Sequence, residues 1–134
     1  MKKCILIFTV LLLMACDQTA DEKAAPLLSR IETLYGSGKY QTALDSIKKL
    51  RVKYPEAIES RKRALKIWQE ASLKMTQDDI GKTDSALQAT IREWKTTKSL
   101  YRKNLLSVKR DSLQVRYDAL CGTVRVIHKK EKEL

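Results

Sequence analysis

A chain of 134 residues with 32% charged and only 6% aromatic side chains is sized for one small domain or a short helical array, and is too short and polar for a large enzyme core. The net charge of +11 is uneven: Asp17 to Ile91 carries 13 basic and 11 acidic residues, whereas Arg92 to Leu134 carries 12 and 5. One histidine, no glycine-rich phosphate loop, no metal-ligand cluster and no nucleophile motif leave catalytic, cofactor and metal roles without candidate residues.

The chain starts with Lys2 and Lys3, continues with an apolar stretch from Ile5 to Met14, and reaches a small residue before Cys16. This is the layout of a secretory signal, and it is shorter than the about 20 apolar residues that a permanent transmembrane helix needs. Leu13-Met14-Ala15-Cys16 resembles a bacterial lipobox. That resemblance implies cleavage between Ala15 and Cys16, lipid (palmitate among it) on Cys16, and a lipid-anchored protein of the cell envelope, with the outer membrane favoured over the inner. Residues 1–15 are then signal, and 16–23, polar and without hydrophobic periodicity, form a tether. Cys4 leaves with the signal and Cys16 takes lipid, so Cys121 stays single and the mature chain has no internal disulfide.

Helices are expected near 25–36, 40–54, 56–78, 80–95 and 105–130. In the first, Pro26 suits the opening turn, Leu27, Ile31 and Leu34 follow helical spacing, and Gly36 and Gly38 end it. Ala43, Leu44, Ile47 and Leu50 line one face of the second, which Pro55 stops. The third carries Ile58, Ala64, Leu65, Trp68, Ala71 and Met75 as its stripe, with Arg61-Lys62-Arg63 on a solvated face. Asp78-Asp79 and Asp84 read as charges at a helix start.

Beyond Gly81 the pattern becomes that of a coiled coil. Ile80, Leu87, Trp94, Tyr101 and Val108 recur every seven residues, with Ile91 and Leu105 in the complementary position. A shifted register follows: Leu106, Leu113, Leu120 and Ile127, flanked by Tyr117 and Val124. Either a turn near Thr96 to Asn104 or a stutter in one long helix explains the shift. The need to bury both stripes favours an antiparallel hairpin. The fold class is therefore all-α: a helical region over 24–79 and a coiled-coil region over 80–134.

Gly38, Tyr40, Ala43, Ile47, Leu50 and Pro55 have the spacing of the second half of a tetratricopeptide repeat (TPR), and this segment resembles that family. The resemblance implies a small-residue turn at Gly38, close helix approach at Ala43, groove filling by Ile47 and Leu50, and a unit closed by Pro55. As a whole the chain is similar to small bacterial lipoproteins with a TPR-like start and a coiled-coil end. A more distant likeness, through Gly38, Tyr40, Ala43 and Tyr54-Pro55, is to the TPR lipoproteins of the outer-membrane barrel-assembly machinery.

These features together lead to the expectation of a non-catalytic interaction module, held to a membrane by lipid and binding another envelope protein. The heptads also offer self-association through the coiled coil. The alternative is an electrostatic binder of anionic lipid or polysaccharide through the basic C-terminal region. Export argues against nucleic acid as a partner, and Trp68, Trp94 and Tyr101 sit on apolar stripes, where core packing explains them better than base stacking.

Overall fold

The computed structural model describes residues 18–133, and these form four helices: α1 (Ala20–Gly36), α2 (Tyr40–Lys53), α3 (Ile58–Thr96) and α4 (Leu100–Glu131). The all-α class is what the hydrophobic periodicity implies. The signal segment, Ala15 and Cys16 lie outside the described residues.

α1 starts five residues earlier than the apolar pattern suggests, so residues 20–23 are helix and not tether. The cause is a capping box. Thr19 Oγ1 accepts from the Glu22 backbone N–H (3.2 Å), and Glu22 Oε2 accepts from the Thr19 N–H (2.8 Å). Pro26 consequently sits inside the helix, not in its opening turn, on an exposed face where water can serve the carbonyl left without an amide partner. A three-residue turn leads into α2. Gly38 adopts φ +73° there, a left-handed conformation that side chains with a Cβ disfavour.

α1, α2 and the first half of α3 pack as a three-helix unit. Its centre is Leu28, Ile31, Ile47, Leu50 and Ala64, flanked by the partly buried Leu27, Ile67 and Trp68. Ala24, Ala43, Ala57, Ala64 and Ala71 are completely buried, which lets the helix axes approach closely. Polar contacts set α1 alongside α3 with the same direction: Asp21 meets Ser60, Glu32 meets Arg63, and the Tyr35 hydroxyl meets Glu70.

Pro55 stops α2 as expected, but α3 begins at Ile58 because residues 54–57 form a turn closed by the Ala57 N–H on the Tyr54 carbonyl (3.2 Å). Ala57 has no capping side chain, and Asp21 of α1 supplies the cap from outside. Its Oδ1 accepts from the Ser60 backbone N–H at 2.7 Å. That backbone bond, joined by the Ser60 side chain and the Glu59 backbone and opposed by partial burial, lowers the Asp21 carboxyl below the ordinary aspartate range. A lowered folded-state pKa stabilises the fold above the unfolded value of about 3.9, and that contribution fades as pH falls through the folded value. Asp21→Asn should therefore melt at a lower temperature than the wild type at neutral pH. The gap should close as pH falls through the lowered folded-state value of Asp21, where both side chains become neutral, in paired thermal melts across pH.

α3 runs through the 78–80 region without the expected break. Asp78, Asp79 and Asp84 all lie in mid-helix rather than at a helix start, and Asp78 is an exposed-face partner that accepts from Lys82 Nζ one turn on at 2.5 Å. The expected boundary at 79–80 thus falls inside one helix, and the two regions share α3 as their common spine. The hairpin turn is Thr97-Lys98-Ser99, at the early end of the expected window. Ser99 caps α4 through Arg102 N–H, and Arg102 reaches back to Glu93 through Nε at 2.8 Å.

α4 returns antiparallel along α3 and packs against that helix alone among the four. Its inward face is the shifted register of the sequence: Leu106 is buried, and Leu113, Tyr117, Leu120, Val124 and Ile127 are half-buried. On α3 the facing rows are Ile80, Leu87 and Trp94, and the threonines 76, 83 and 90. Thr83 and Thr90 are buried, and Thr76 and Thr90 return their hydroxyls to the Ser72 and Ala86 carbonyls at 2.8 Å. The complementary row is therefore threonine, one residue earlier than the row of Ile91 and Leu105 inferred from apolar spacing.

Candidate protein-interaction groove

The last turns of α4 reach a part of α3 that α2 also flanks, and a groove forms where the three helices meet. It consists of three adjoining recesses of 340, 620 and 460 Å³ that share Leu65. The first lies beside Arg51, Ile58, Arg61 and Lys62. The second continues past Lys66, Gln69 and Glu70 to Glu131, and the third past Trp68 and Ser72 to Val126, Ile127 and Lys130. Apolar side chains make the floor and cations most of the rim, with Glu70, Glu131 and Glu133 towards the α4 end.

Local contacts hold this floor in place. Trp68 is half-buried, with the Arg51 guanidinium 5.1 Å and the Lys48 ammonium 5.9 Å from its ring centroid, an arrangement that fixes the indole and pulls two charges to the groove wall. Arg61 is steadied by donating to the Pro55 carbonyl, and Lys62 by pairing with Glu59 at 2.9 Å. Tyr35 leans on Tyr40, ring centroids 5.7 Å apart, and donates to Glu70. Bonding to Glu70, then burial, raises the Tyr35 phenol above its ordinary pKa, so it stays a neutral donor.

The residues singled out by the repeat-like spacing lie elsewhere. Gly38 makes the α1–α2 turn, Tyr40 packs on Tyr35, and Pro55 is exposed in the α2–α3 turn. Ala43, Ile47 and Leu50 are fully buried, so they hold the scaffold and touch no partner. Of the groove, Leu65 and Trp68 belong to the apolar stripe of the third helix, while Arg61 and Lys62 had the look of a solvated face. The signal that raises these cations above that reading is their position beside Leu65 and Ile58 one helical turn away.

Cys121 and His128 are not brought together as a reactive pair. His128 Nδ1 lies 2.9 Å from Glu131, and Cys121 is half-buried beside Tyr117. The Cys121 sulfur, as a charge and as a hydrogen-bond partner, raises the Tyr117 phenol, with burial and the Asp84 and Asp118 carboxylates adding to the effect. Among the described residues no group of three His, Cys, Asp or Glu side chains is arranged to hold a metal ion, and no helix is long and apolar enough to cross a membrane. Compared with known protein families, curated proteins and solved structures, the chain matches none.

Proposed function

We propose that this chain is a lipid-anchored, non-catalytic interaction module of the bacterial cell envelope. In this reading Cys16 holds it to a membrane, the TPR-like hairpin and α3 form a rigid scaffold, and the groove at Leu65 receives an apolar, acidic segment of another envelope protein. The observation that carries the reading is the pairing of an apolar floor with the cationic rim of Arg51, Arg61, Lys62 and Lys66. Such a surface suits a segment that buries aliphatic side chains and presents carboxylates at its edge. A lipid anchor would add affinity by confining both proteins to one membrane plane.

The test is site-directed photo-crosslinking of the membrane-extracted protein with the reactive group at Gln69, inside the groove, and at Val52, outside it. A discrete adduct from Gln69 and none from Val52 is expected. Leu65→Glu should abolish the adduct at both low and physiological salt, because it places charge in the floor. Neutralising Lys129, Lys130 and Lys132 should weaken it at low salt, where charges are not yet screened within about 8 Å. An adduct indifferent to Leu65→Glu but lost with those lysines at physiological salt would overturn the groove in favour of a polyanion surface. Cys16→Ala should leave an unprocessed precursor or release the protein from the membrane fraction, and an intact mass of the wild type showing an unlipidated start elsewhere overturns the anchor.

A further inference from the structure

The turn at 97–99 has a second effect on the heptad that starts at Ile80. Its first half, Ile80, Leu87 and Trp94, is spent inside the α3–α4 seam. Its second half emerges on the opposite side of α4. Leu105, Ser112 and Ala119 recur every seven residues there, and Tyr101, Val108, Val115 and Gly122 do the same in the complementary position, while Val126, next in the first row, already lines the groove at Leu65. This stripe faces away from α3, and none of α1, α2 or α3 covers it. Tyr101 is 75% exposed, Val108 71% and Val115 69%. Large apolar side chains at these levels of exposure, in two heptad rows over 22 residues (Tyr101 to Gly122), form a coiled-coil seam without its second strand.

We infer that the second strand is α4 of another copy of this chain, aligned in parallel. The flanks of the stripe choose both partner and direction. Along the stripe one flank is the basic row Arg102, Lys109 and Arg116, and the other is Asn104, Asp111 and Asp118. In a parallel pair each flank faces the opposite flank of the partner helix five residues on. Asp111 then meets Arg116 of the second copy, and by symmetry the contact occurs twice. Asp118 faces the uncharged Thr123, and the like-charged pair Arg125 and Lys130 lies beyond the end of the stripe. An antiparallel pair would instead set the whole basic row against itself. Asp111 already holds Arg110 of its own helix at 2.7 Å, and its second oxygen remains available to the other copy. Ser112, Ala119 and Gly122 let the two backbones approach, and a Cβ added at Gly122 would meet nothing within 4 Å in one chain alone. The parallel arrangement leaves both Leu65 grooves at the same end of the dimer, outside its seam.

Sedimentation of the full membrane-extracted chain in detergent tests this. The wild type should sediment as a dimer and Val115→Lys as a monomer with an unchanged helical circular dichroism spectrum, since Val115 makes no core contact within one chain. Asp111→Arg should weaken the dimer severalfold, and Asp111→Arg combined with Arg116→Asp should restore it. A monomeric wild type, or a dimer indifferent to Val115→Lys, overturns the interface, and a double variant no better than the single overturns the parallel direction. Leu65→Glu should leave the dimer intact, so failure of the groove reading and failure of this one are separable.

Discussion

Leu50→Ala should lower the unfolding free energy by about 2–5 kcal/mol, a loss matched only by truncating the other large, fully buried side chains, Ile31 and Ile47, among the described residues. Leu50 is fully buried on α2 and packs within the cluster of Leu28, Ile31, Ile47 and Ala64. Removing its branched end forfeits the transfer energy of the lost carbons and leaves a cavity that helices from three directions cannot all collapse into. Against a total stability of about 5–15 kcal/mol, that is a substantial fraction of the whole. Val52, two residues further along the same helix, is 84% exposed and provides the control. Val52→Ala should stay within about 0.5 kcal/mol of the wild type. Urea unfolding of both, with unchanged m-values, checks the contrast. A Leu50→Ala loss no larger than that of Val52→Ala would mean that the three-helix unit does not carry the stability of the fold.

The parts of this fold legible in the sequence are those where apolar spacing and a helix stop agree. α2 is an instance: Gly38 opens it, Ala43, Ile47 and Leu50 keep one face, and Pro55 closes it. The inward face of α4 is another, since Leu106, Leu113, Leu120 and Ile127 hold a strict seven-residue spacing. Elsewhere, polar chemistry moved the boundaries. Thr19 and Glu22 start α1 before any apolar residue signals a helix, because a capping box works through side-chain oxygens. Asp78 and Asp79 resemble a helix start, but α3 is carried past them by its seam with α4, and Lys82 gives Asp78 an ordinary surface pairing. The threonine row at 76, 83 and 90 is invisible to a search for apolar periodicity. A threonine that returns its hydroxyl to the carbonyl one turn back presents mainly its methyl to a neighbour, and so can fill a narrow seam.

The groove was only half legible for a related reason. Leu65 and Trp68 stand out by spacing along α3, but Arg51 on α2 and Ile127 on α4 join them only because α3 is long enough to run past both helices. No local pattern records that meeting. A one-turn error in the α3–α4 turn would carry Val126 and Ile127 away from Ser72. The same turn decides the fate of Tyr101, Leu105 and Val108. In one uninterrupted helix they would extend the Leu87 seam, whereas after a reversal at 97–99 they point to the far side of α4.

Ala43→Leu should cost about 1–3 kcal/mol by overpacking. Alanine and leucine have nearly the same intrinsic helix preference, so α2 itself loses little and the penalty reports the space around the side chain. Ala43 is completely buried on α2, which packs against both α1 and α3. Three further methyl-sized groups must therefore come out of the gap between helix axes. Moving α2 outward to admit them would also loosen Ile47 and Leu50, one and two turns further along the same helix. Ala119 offers the opposite environment: a helical alanine with its side chain exposed on the outer face of α4. Ala119→Leu should leave the unfolding of one chain within about 0.5 kcal/mol of the wild type. Under conditions where copies pair, it acts instead on the dimer seam. Thermal melts of the two variants, run with the Val115→Lys background to hold the chain monomeric, separate these effects. A neutral Ala43→Leu would show that the α1–α2–α3 unit tolerates wider helix spacing than five fully buried alanines imply.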